Sequence, residues 1–258
     1  MRLYLKYFSI HLRCVMQYKT SFFLTLFGQI LTTFTAFLSI YYLFDRFHAV
    51  EGFSFSEVLL CFSVVLFSFS FAECFVRGFD AFSSTISNGE FDRILVRPRN
   101  EVFQVLASKI DFSRLGRLIQ AVATLIFAIA TVQVPWTLLR VLMLLLMVAG
   151  GIVLFSALFL LYAGLCFYTT EGLEVINIFT DGGREFGSYP MSIYGKDMLR
   201  FYTYVVPMAC VQYYPLLYLL GRTGSAWNLL FPLAPAVFFL PCYLFWRVGV
   251  RHYKSTGS

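Results

Sequence analysis

Residues 88–98, with the sequence NGEFDRILVRP, combine a short apolar face with a rim of charges. Phe91, Ile94 and Leu95 are spaced i, i+3 and i+4, so a single turn of helix would bring them onto one face. An apolar centre inside a charged rim is what a helix needs to seat in the groove of a partner protein. An amphipathic loop that lies on a membrane surface would have the same pattern, so the pattern by itself leaves both interpretations open. The residues that form the rim and end the helix are Glu90, Asp92, Arg93, Arg97 and Pro98.

Catalytic and nucleotide-binding motifs do not accompany this stretch. The sequence holds no GxSxG, HExxH, GxGxxG or GxxxxGK[ST] pattern. We therefore predict no enzyme activity in the chain, and any ATP-driven work would need an ATPase on another polypeptide. The three histidines are far apart and no CxxC occurs among the six cysteines, so neither a metal site nor a disulfide framework is predicted.

The elements that must hold residues 88–98 in place are membrane spans. Hydrophobic residues make up 59% of the chain and charged residues only 13%, and the mean hydropathy is +0.74, which is the composition of a membrane protein. A helix that crosses the hydrocarbon core needs about 20 apolar residues at 1.5 Å per residue. The apolar stretches predict an all-α integral membrane protein with six transmembrane helices, one of which lies within 169–221. The other five spans are expected near residues 21–44, 57–77, 112–133, 138–167 and 228–247.

Lysine and arginine concentrate in three regions that flank these spans. Residues 1–20, the loop 77–117 and the tail from Arg247 hold most of the 20 basic residues, whereas the loop 45–57 is mainly acidic. By the positive-inside rule, both termini and the 77–117 loop lie in the cytoplasm and the number of crossings is even. The net charge of +6 is then explained by basic residues that determine the topology and contact lipid headgroups. No nucleic-acid partner is therefore expected. Residues 1–20 are predicted to form an interfacial helix, because a basic stripe runs along an aromatic-rich helix there.

Hydropathy alone leaves the fifth span open. Residues 201–221 are the more apolar choice, and that choice would leave 171–200 as a polar cytoplasmic insert. In the alternative, residues 169–189 cross the membrane and the following residues enter and leave the outer leaflet without crossing. Irregular backbone is tolerated at membrane depth where protein or a watery cavity surrounds it. The residues that suit such a broken hairpin are Pro207, Tyr213 and Pro215.

Three motifs, in order along the chain, resemble those of one transporter family. The segment GEFDRILVRP, residues 89–98, is similar to the G-x-[LF]-D-x-x-L-x-R-P signature of membrane subunits of ATP-binding-cassette (ABC) exporters of the type-2 permease class. The segments FGSYPMSIY (186–194), VP (206–207) and YYP (213–215) resemble the YP-x-x-IY…IP…YP pattern of a bacterial six-span subfamily of similar length. The resemblance extends over nearly the whole chain, from the amphipathic N-terminal helix to the basic tail.

The resemblance implies an architecture and a set of partners. It implies a coupling helix in the cytoplasmic loop 78–100 and a re-entrant hairpin within 190–225 on the outer side, which favours 169–189 as the fifth span. It also implies the bacterial cytoplasmic membrane, two copies of a cytosolic ABC ATPase and a second permease subunit that is a different six-span chain. ATP and Mg²⁺ would bind to the ATPase, and this chain would carry no cofactor. The residues that would couple to the ATPase are Glu90, Phe91, Asp92, Ile94, Leu95, Arg97 and Pro98.

A fifth span at 169–189 would place several charges at membrane depth. Ionisable groups there usually pair or line a watery path, so Arg184 could pair with Asp181. Glu171 and Glu174 add further charge to this segment and are unusual in a span. The expected function is that of an exporter permease for a lipophilic or amphipathic substrate, and an ATPase-independent secondary transporter or membrane scaffold is the alternative. The residues predicted to line the translocation path or the subunit interface are Asp181, Arg184, Glu185, Tyr189 and Pro190.

Overall fold

The computed structural model describes residues 2–169, 177–224 and 226–255. Regular structure in these residues is helical. Short 3-10 turns occur at Phe112–Arg114, Met191–Tyr194, Ala226–Leu229 and Phe231–Leu233. The α-helices are α1 Arg2–Met16, α2 Lys19–Phe47, α3 Phe55–Phe75, α4 Arg77–Asp80, α5 Phe82–Ser87, α6 Glu90–Leu95, α7 Glu101–Ser108, α8 Leu115–Thr131, α9 Leu138–Thr169, α10 Asn177–Gly187, α11 Lys196–Tyr204, α12 Met208–Leu219 and α13 Ala234–His252.

Five helical stretches among the described residues are long and apolar enough to cross a membrane. They are Lys19–Phe47, Phe55–Phe75, Phe112–Thr131, Leu138–Thr169 and Trp227–His252. Each overlaps one of the five spans expected from hydropathy outside 169–221, so those predictions are confirmed as helices of the right length. The all-α fold class is also confirmed at this level.

Helix α3 is the centre of the bundle. Most of its side chains are buried, from Val58 to Cys74, and it packs against α8, α9 and α2. Its start is stabilised by a capping box, in which the backbone N–H of Ser54 donates to Glu57 Oε2 at 2.9 Å. Helix α2, in contrast, leaves most of its apolar side chains exposed in the isolated chain. The core of this protein is therefore built around its second long helix rather than its first.

Both described ends of the chain lie beside the connection between α3 and α8, and this end of the bundle is called the basic end. The Phe8 ring in α1 packs edge-on against Phe112, with ring centroids 4.8 Å apart. At the other terminus, Arg247 Nη1 in α13 lies 3.6 Å from Glu101 Oε1 in α7. The three basic regions of the sequence are thus gathered at one end, and the loop with Trp136 lies at the opposite end.

Small residues allow the long helices to approach closely. A Cβ atom added to Gly150 in α9 would lie 2.4 Å from the backbone oxygen of Pro232, and one added to Gly164 would lie 2.7 Å from the Phe245 ring. Real Cβ atoms do not approach other atoms so closely, so these positions require glycine. The small residues that the sequence shows in the fourth span therefore serve close packing against the last span and the segment before it.

Replacing Gly150 with alanine is expected to destabilise the protein by about 1–3 kcal/mol, because the new methyl group overlaps a backbone atom that cannot rotate away. Gly28→Ala in α2 is the matched control, since nothing lies within 4 Å of its added Cβ. Thermal unfolding of the detergent-solubilised variants measures both effects. Equal melting temperatures for the two variants would contradict the close approach at Gly150.

Residues 177–224 form the helix α10, followed by a helical hairpin made of α11 and α12. Helix α10 lies along α3, where the Cys61 thiol donates to the Gly187 backbone oxygen at 3.5 Å. Helices α11 and α12 then fold back on each other with Pro207 between them, and Thr203 Oγ1 lies 3.1 Å from the Tyr214 hydroxyl. The hairpin's far end reaches the start of α3, where Arg222 Nη2 donates to Glu57 Oε2 at 2.7 Å.

The helices of residues 177–224 bear on the two placements that hydropathy left open. A single helix over 201–221 is not formed, because α11 ends at Tyr204 and α12 begins at Met208. Of the 169–189 segment, α10 supplies 177–187 as a helix packed on α3 and α9. Glu171 and Glu174 lie outside the described residues.

Candidate functional site

The stretch 88–98 forms the short helix that its spacing predicts. Gly89 adopts the left-handed conformation (φ 67°), which ends α5 and lets α6 start at Glu90. The next helix, α7, begins at Glu101 and is capped by Asn100, whose side-chain Oδ1 accepts from the backbone N–H of Phe103 at 3.2 Å. Helix α6, which carries the apolar residues, therefore lies at the basic end between a bend of the chain at Gly89 and another at Asn100.

Two of the three residues expected on the apolar face of α6 lie in the interior of the protein. Phe91 has no exposed surface, and Ile94 is also buried. The Phe91 ring packs edge-on against Phe82 and Phe167, both at 5.2 Å between centroids, and against Tyr253 at 5.0 Å. The aromatic side chain is large and apolar, so it is more stable in this interior position than it would be in water before a partner binds.

The surface of this segment consists instead of the end of α6 and the residues after it. Leu95 is 45% exposed and Val96 is 83% exposed, and Arg97 and Pro98 follow them on the surface. Residues 95–98 are called the exposed tip. Glu90 and Arg93 are also exposed, and they line a surface cleft of about 370 Å³ beside the tip together with Arg97 and Lys109. The exposed tip and the cleft together still combine an apolar centre with a charged rim, as predicted. Both lie closer to the C-terminal end of residues 88–98 than the prediction placed them.

An aromatic cluster connects α6 to two of the long helices. Phe167 lies at the end of α9, and Trp246 lies in α13, where it is fully buried. The Trp246 ring is 4.8 Å from Phe82 and 5.0 Å from Phe167. The tail after α13 closes the cluster, because Ser255 Oγ donates to Asp92 Oδ2 at 2.6 Å. A displacement of α6 would therefore be transmitted directly to α9 and α13.

A buried charge cluster lies next to this segment, at the end of α3. The Glu73 side chain is only 5% exposed and contacts three arginines. Its Oε2 accepts from Arg117 Nη1 at 2.6 Å, while its Oε1 lies 3.2 Å from Arg114 Nε and 3.5 Å from Arg77 Nη1. Arg77 follows Glu73 by four residues, a spacing at which helical side chains can pair, but the closest partner of Glu73 is Arg117 on α8.

The charge cluster joins five parts of the basic end. Arg117 Nη2 donates to Gln29 Oε1 at 2.9 Å, which adds α2 to the contact between α3 and α8. Arg77 pairs with Asp80 within α4, and Asp111 adds the loop before α8. Burial raises the pKa of Asp80, and the neighbouring Arg77 acts in the opposite direction. Buried carboxylates and guanidinium groups are stable together only when they are paired, so the cluster favours one relative position of these elements.

The charged residues of α10 lie beside this cluster. The Arg184 guanidinium is 5.1 Å from the centre of the Phe69 ring, and that of Arg117 is 5.9 Å from the same ring. Within the part of the chain that the structure describes, the ion-pair partner of Arg184 is Glu185, not Asp181. Phe69 is six residues from the end of α3 at Phe75, so Arg184 lies about 9 Å along the helix from that end.

The other residues predicted in this region lie just after the C-terminal end of α10 and in the hairpin. The Tyr189 backbone oxygen accepts from Gln212 Nε2 at 3.1 Å, and Pro190 follows it in a buried position. Pro207 is buried at the bend between α11 and α12, and Pro215 is buried inside α12. Tyr213 is half-buried beside Tyr214, with ring centroids 5.4 Å apart.

Several residues of the site carry no signal in the sequence. Gln212 is a fully buried amide that bonds both Tyr189 and the Cys61 thiol, and nothing in the pattern of a mostly apolar helix singles it out. Trp246 and Phe167 are two aromatic residues among many. No group of three or more His, Cys, Asp and Glu side chains within residues 2–169, 177–224 and 226–255 is placed to hold a metal ion. All six cysteines are free thiols.

Comparison with known proteins gave one match. Neither a curated protein nor a solved structure matched the chain. A model of a protein family described as "ABC-2 family transporter protein" matches residues 30–257, which include all five long helices except the start of the first. Because this match covers most of the chain, including α6, the charge cluster and the hairpin, the protein belongs to the ABC-2 family of membrane transporter proteins.

Proposed function

We propose that this chain is the permease subunit of an ATP-driven ABC exporter and forms half of the translocation path for a lipophilic or amphipathic substrate. Two copies of a cytosolic ABC ATPase would bind at the basic end and would hold the ATP and Mg²⁺. A second permease subunit, a different six-span chain, would complete the path. The site for both subunits would be the bacterial cytoplasmic membrane, with both termini in the cytoplasm.

The observation that carries the proposal is the connection of α6 to the long helices. The exposed tip offers Leu95 and Val96 to a partner, while Phe91 on the same helix packs against Phe167 in α9 and is linked through the aromatic cluster to Trp246 in α13. A partner that pushes on the tip would thereby move two spans. ATP binding could drive such a push because it would change the distance between the two ATPase copies.

The arrangement of residues 177–224 supports six crossings and a re-entrant hairpin. The ends of α9 and α13 both lie at the basic end, beside α6 and α7, so the start of α13 lies at the opposite end and a crossing between the two helices is favoured. We propose that α10 makes this crossing and that α11 and α12 form the hairpin on the outer side. With 12 residues, or about 18 Å, α12 is too short to cross a core of about 30 Å.

The test of this function is a change on the exposed tip. In the double variant Leu95→Glu with Val96→Glu, two new carboxylates would replace the apolar centre of the ATPase contact. We expect it to reach the membrane in normal amounts and to lose its ATPase. Affinity purification in mild detergent, with mass spectrometry of the proteins recovered, measures the association. The same experiment on the native chain identifies the second permease subunit.

A matched control is Leu138→Glu, because Leu138 is 89% exposed and lies at the opposite end of the bundle. It should keep the ATPase. Retention of the ATPase by the double variant would contradict the proposed contact. Recovery of the native chain without any ATPase would contradict the exporter and favour a secondary transporter or a membrane scaffold.

A further inference from the structure

A cavity at membrane depth lies between four helices. It is bounded by Thr33 in α2, Leu66 in α3, Arg117 in α8 and Arg184 in α10, and it is called the arginine cavity. Its volume is about 110 Å³, well above the roughly 10–15 Å³ that one water molecule needs by the same measure. Leu66 is nine residues from the end of α3 and so lies about 14 Å along the helix from the basic end, whereas Arg117 is the third residue of α8 and lies closer to that end.

The two arginines of the cavity differ in how firmly they are held. Arg117 is bonded to the buried Glu73 and to Gln29, so its guanidinium is fixed by two other helices. Arg184 pairs with Glu185, its neighbour in sequence. The Glu185 side chain is 64% exposed, so its carboxylate is already in contact with solvent and can separate from Arg184 at little cost.

The rest of the wall completes an amphipathic site. Ser188 and Thr33 contribute hydroxyl oxygens, but their hydrogens are already donated to backbone oxygens of their own helices. The guanidinium N–H groups are therefore the strong donors of this cavity. Phe62 and Leu66 form an apolar part of the cavity wall, and both side chains are largely buried.

We propose that the arginine cavity binds the oxyanion of an anionic amphipath, a carboxylate or phosphate group attached to an apolar body. The ligand oxygens replace the Glu185 carboxylate on Arg184; the cavity of about 110 Å³ holds this polar group, and the apolar body extends out of it. Glu185 then acts as a resident carboxylate that occupies Arg184 when no ligand is bound. This inference rests on the proposed function, because it names the substrate class of the same permease.

Ligand binding can be tested with tritiated oleate on the full-length chain in detergent, without an ATPase present. Unlabelled oleate and lysophosphatidate should displace the label, and the uncharged monoolein should not. Arg184→Gln should weaken oleate binding about tenfold, because one charge-assisted pair is lost. Glu185→Gln should strengthen it severalfold, because the competing carboxylate is removed. Arg200→Gln on the exposed part of α11 is the control and should bind as the native chain does.

The outcomes separate the two sources of ligand. Stronger displacement by lysophosphatidate would support a phospholipid phosphate, and stronger displacement by oleate would support a carboxylate. Displacement by monoolein as strong as that by oleate, or unchanged binding in both Arg184→Gln and Glu185→Gln, would overturn the proposal. Because binding is measured without the ATPase, failure here leaves the result of the exposed-tip experiment unaffected.

Discussion

Replacing Glu73 with alanine is expected to destabilise the protein by about 3–5 kcal/mol, since the change leaves buried guanidinium groups without their carboxylate. Arg117 would be most affected, because Glu73 Oε2 at 2.6 Å is its closest partner and its side chain is only 11% exposed. The contact between α3 and α8 would then carry an uncompensated charge. Thermal unfolding and resistance to SDS in mixed micelles measure the loss.

A surface ion pair provides the matched control for Glu73. Asp197 and Arg200 form an ion pair with 3.6 Å between their charged atoms, and both side chains are largely exposed. Asp197→Ala should therefore change stability by less than about 1 kcal/mol. The double variant Glu73→Leu with Arg117→Leu should recover part of the loss, because apolar side chains can replace a buried ion pair. A Glu73→Ala variant as stable as Asp197→Ala would show that the arginines do not depend on Glu73.

Phe91→Ala is expected to cost about 3–5 kcal/mol, because it removes a fully buried ring that contacts three other aromatic rings. The loss should be local at first, with α6 separating from α9 and from the tail. Limited trypsin digestion can follow this separation, since Arg93 and Arg99 lie in the affected segment, whereas the Arg97–Pro98 bond resists trypsin. Cleavage there should accelerate at temperatures at which the spans remain folded.

Leu95→Ala is the comparison for Phe91 on the same helix. Leu95 is half-exposed, so its truncation should change stability by roughly 0.5 kcal/mol or less and should leave the rate of trypsin cleavage unchanged. Loss of ATPase binding in Leu95→Ala, with normal stability, would be consistent with a partner contact at the exposed tip. Equal destabilisation by the two alanine variants would contradict the difference in burial that the structure gives to Phe91 and Leu95.

Helix α6 shows which properties a local sequence pattern does not determine. The spacing of Phe91, Ile94 and Leu95 predicts one apolar face, and the helix forms where it was expected. Which way that face points depends on whether the protein offers an interior for it. Phe167 and Trp246 provide one, and they lie more than 70 residues further along the chain. Without a knowledge of that distant contact, an internal core and a partner's groove are equally good places for the same three side chains.

The charge cluster shows the same limit. A Glu73–Arg77 pair can be predicted from four-residue spacing because both side chains belong to one helical path. The shorter contact to Arg117 depends on how α8 packs against α3, which a local pattern does not contain. The same holds for Arg184, whose place beside Phe69 follows from the packing of α10 on α3.

The amino-acid sequence by itself determined the class of the protein, its five longest helices and the gathering of basic residues beside them. These properties are local, because a bilayer acts as a solvent on each apolar segment separately and needs about 20 residues of it. The tertiary structure alone decided which side of α6 is buried, which carboxylate holds the arginines, and how residues 177–224 divide into a helix and a hairpin. These properties depend on contacts between segments far apart in the chain, and packing against a shared neighbour, α3 for the charges and α9 for Phe91, selects one arrangement among several that hydropathy permits.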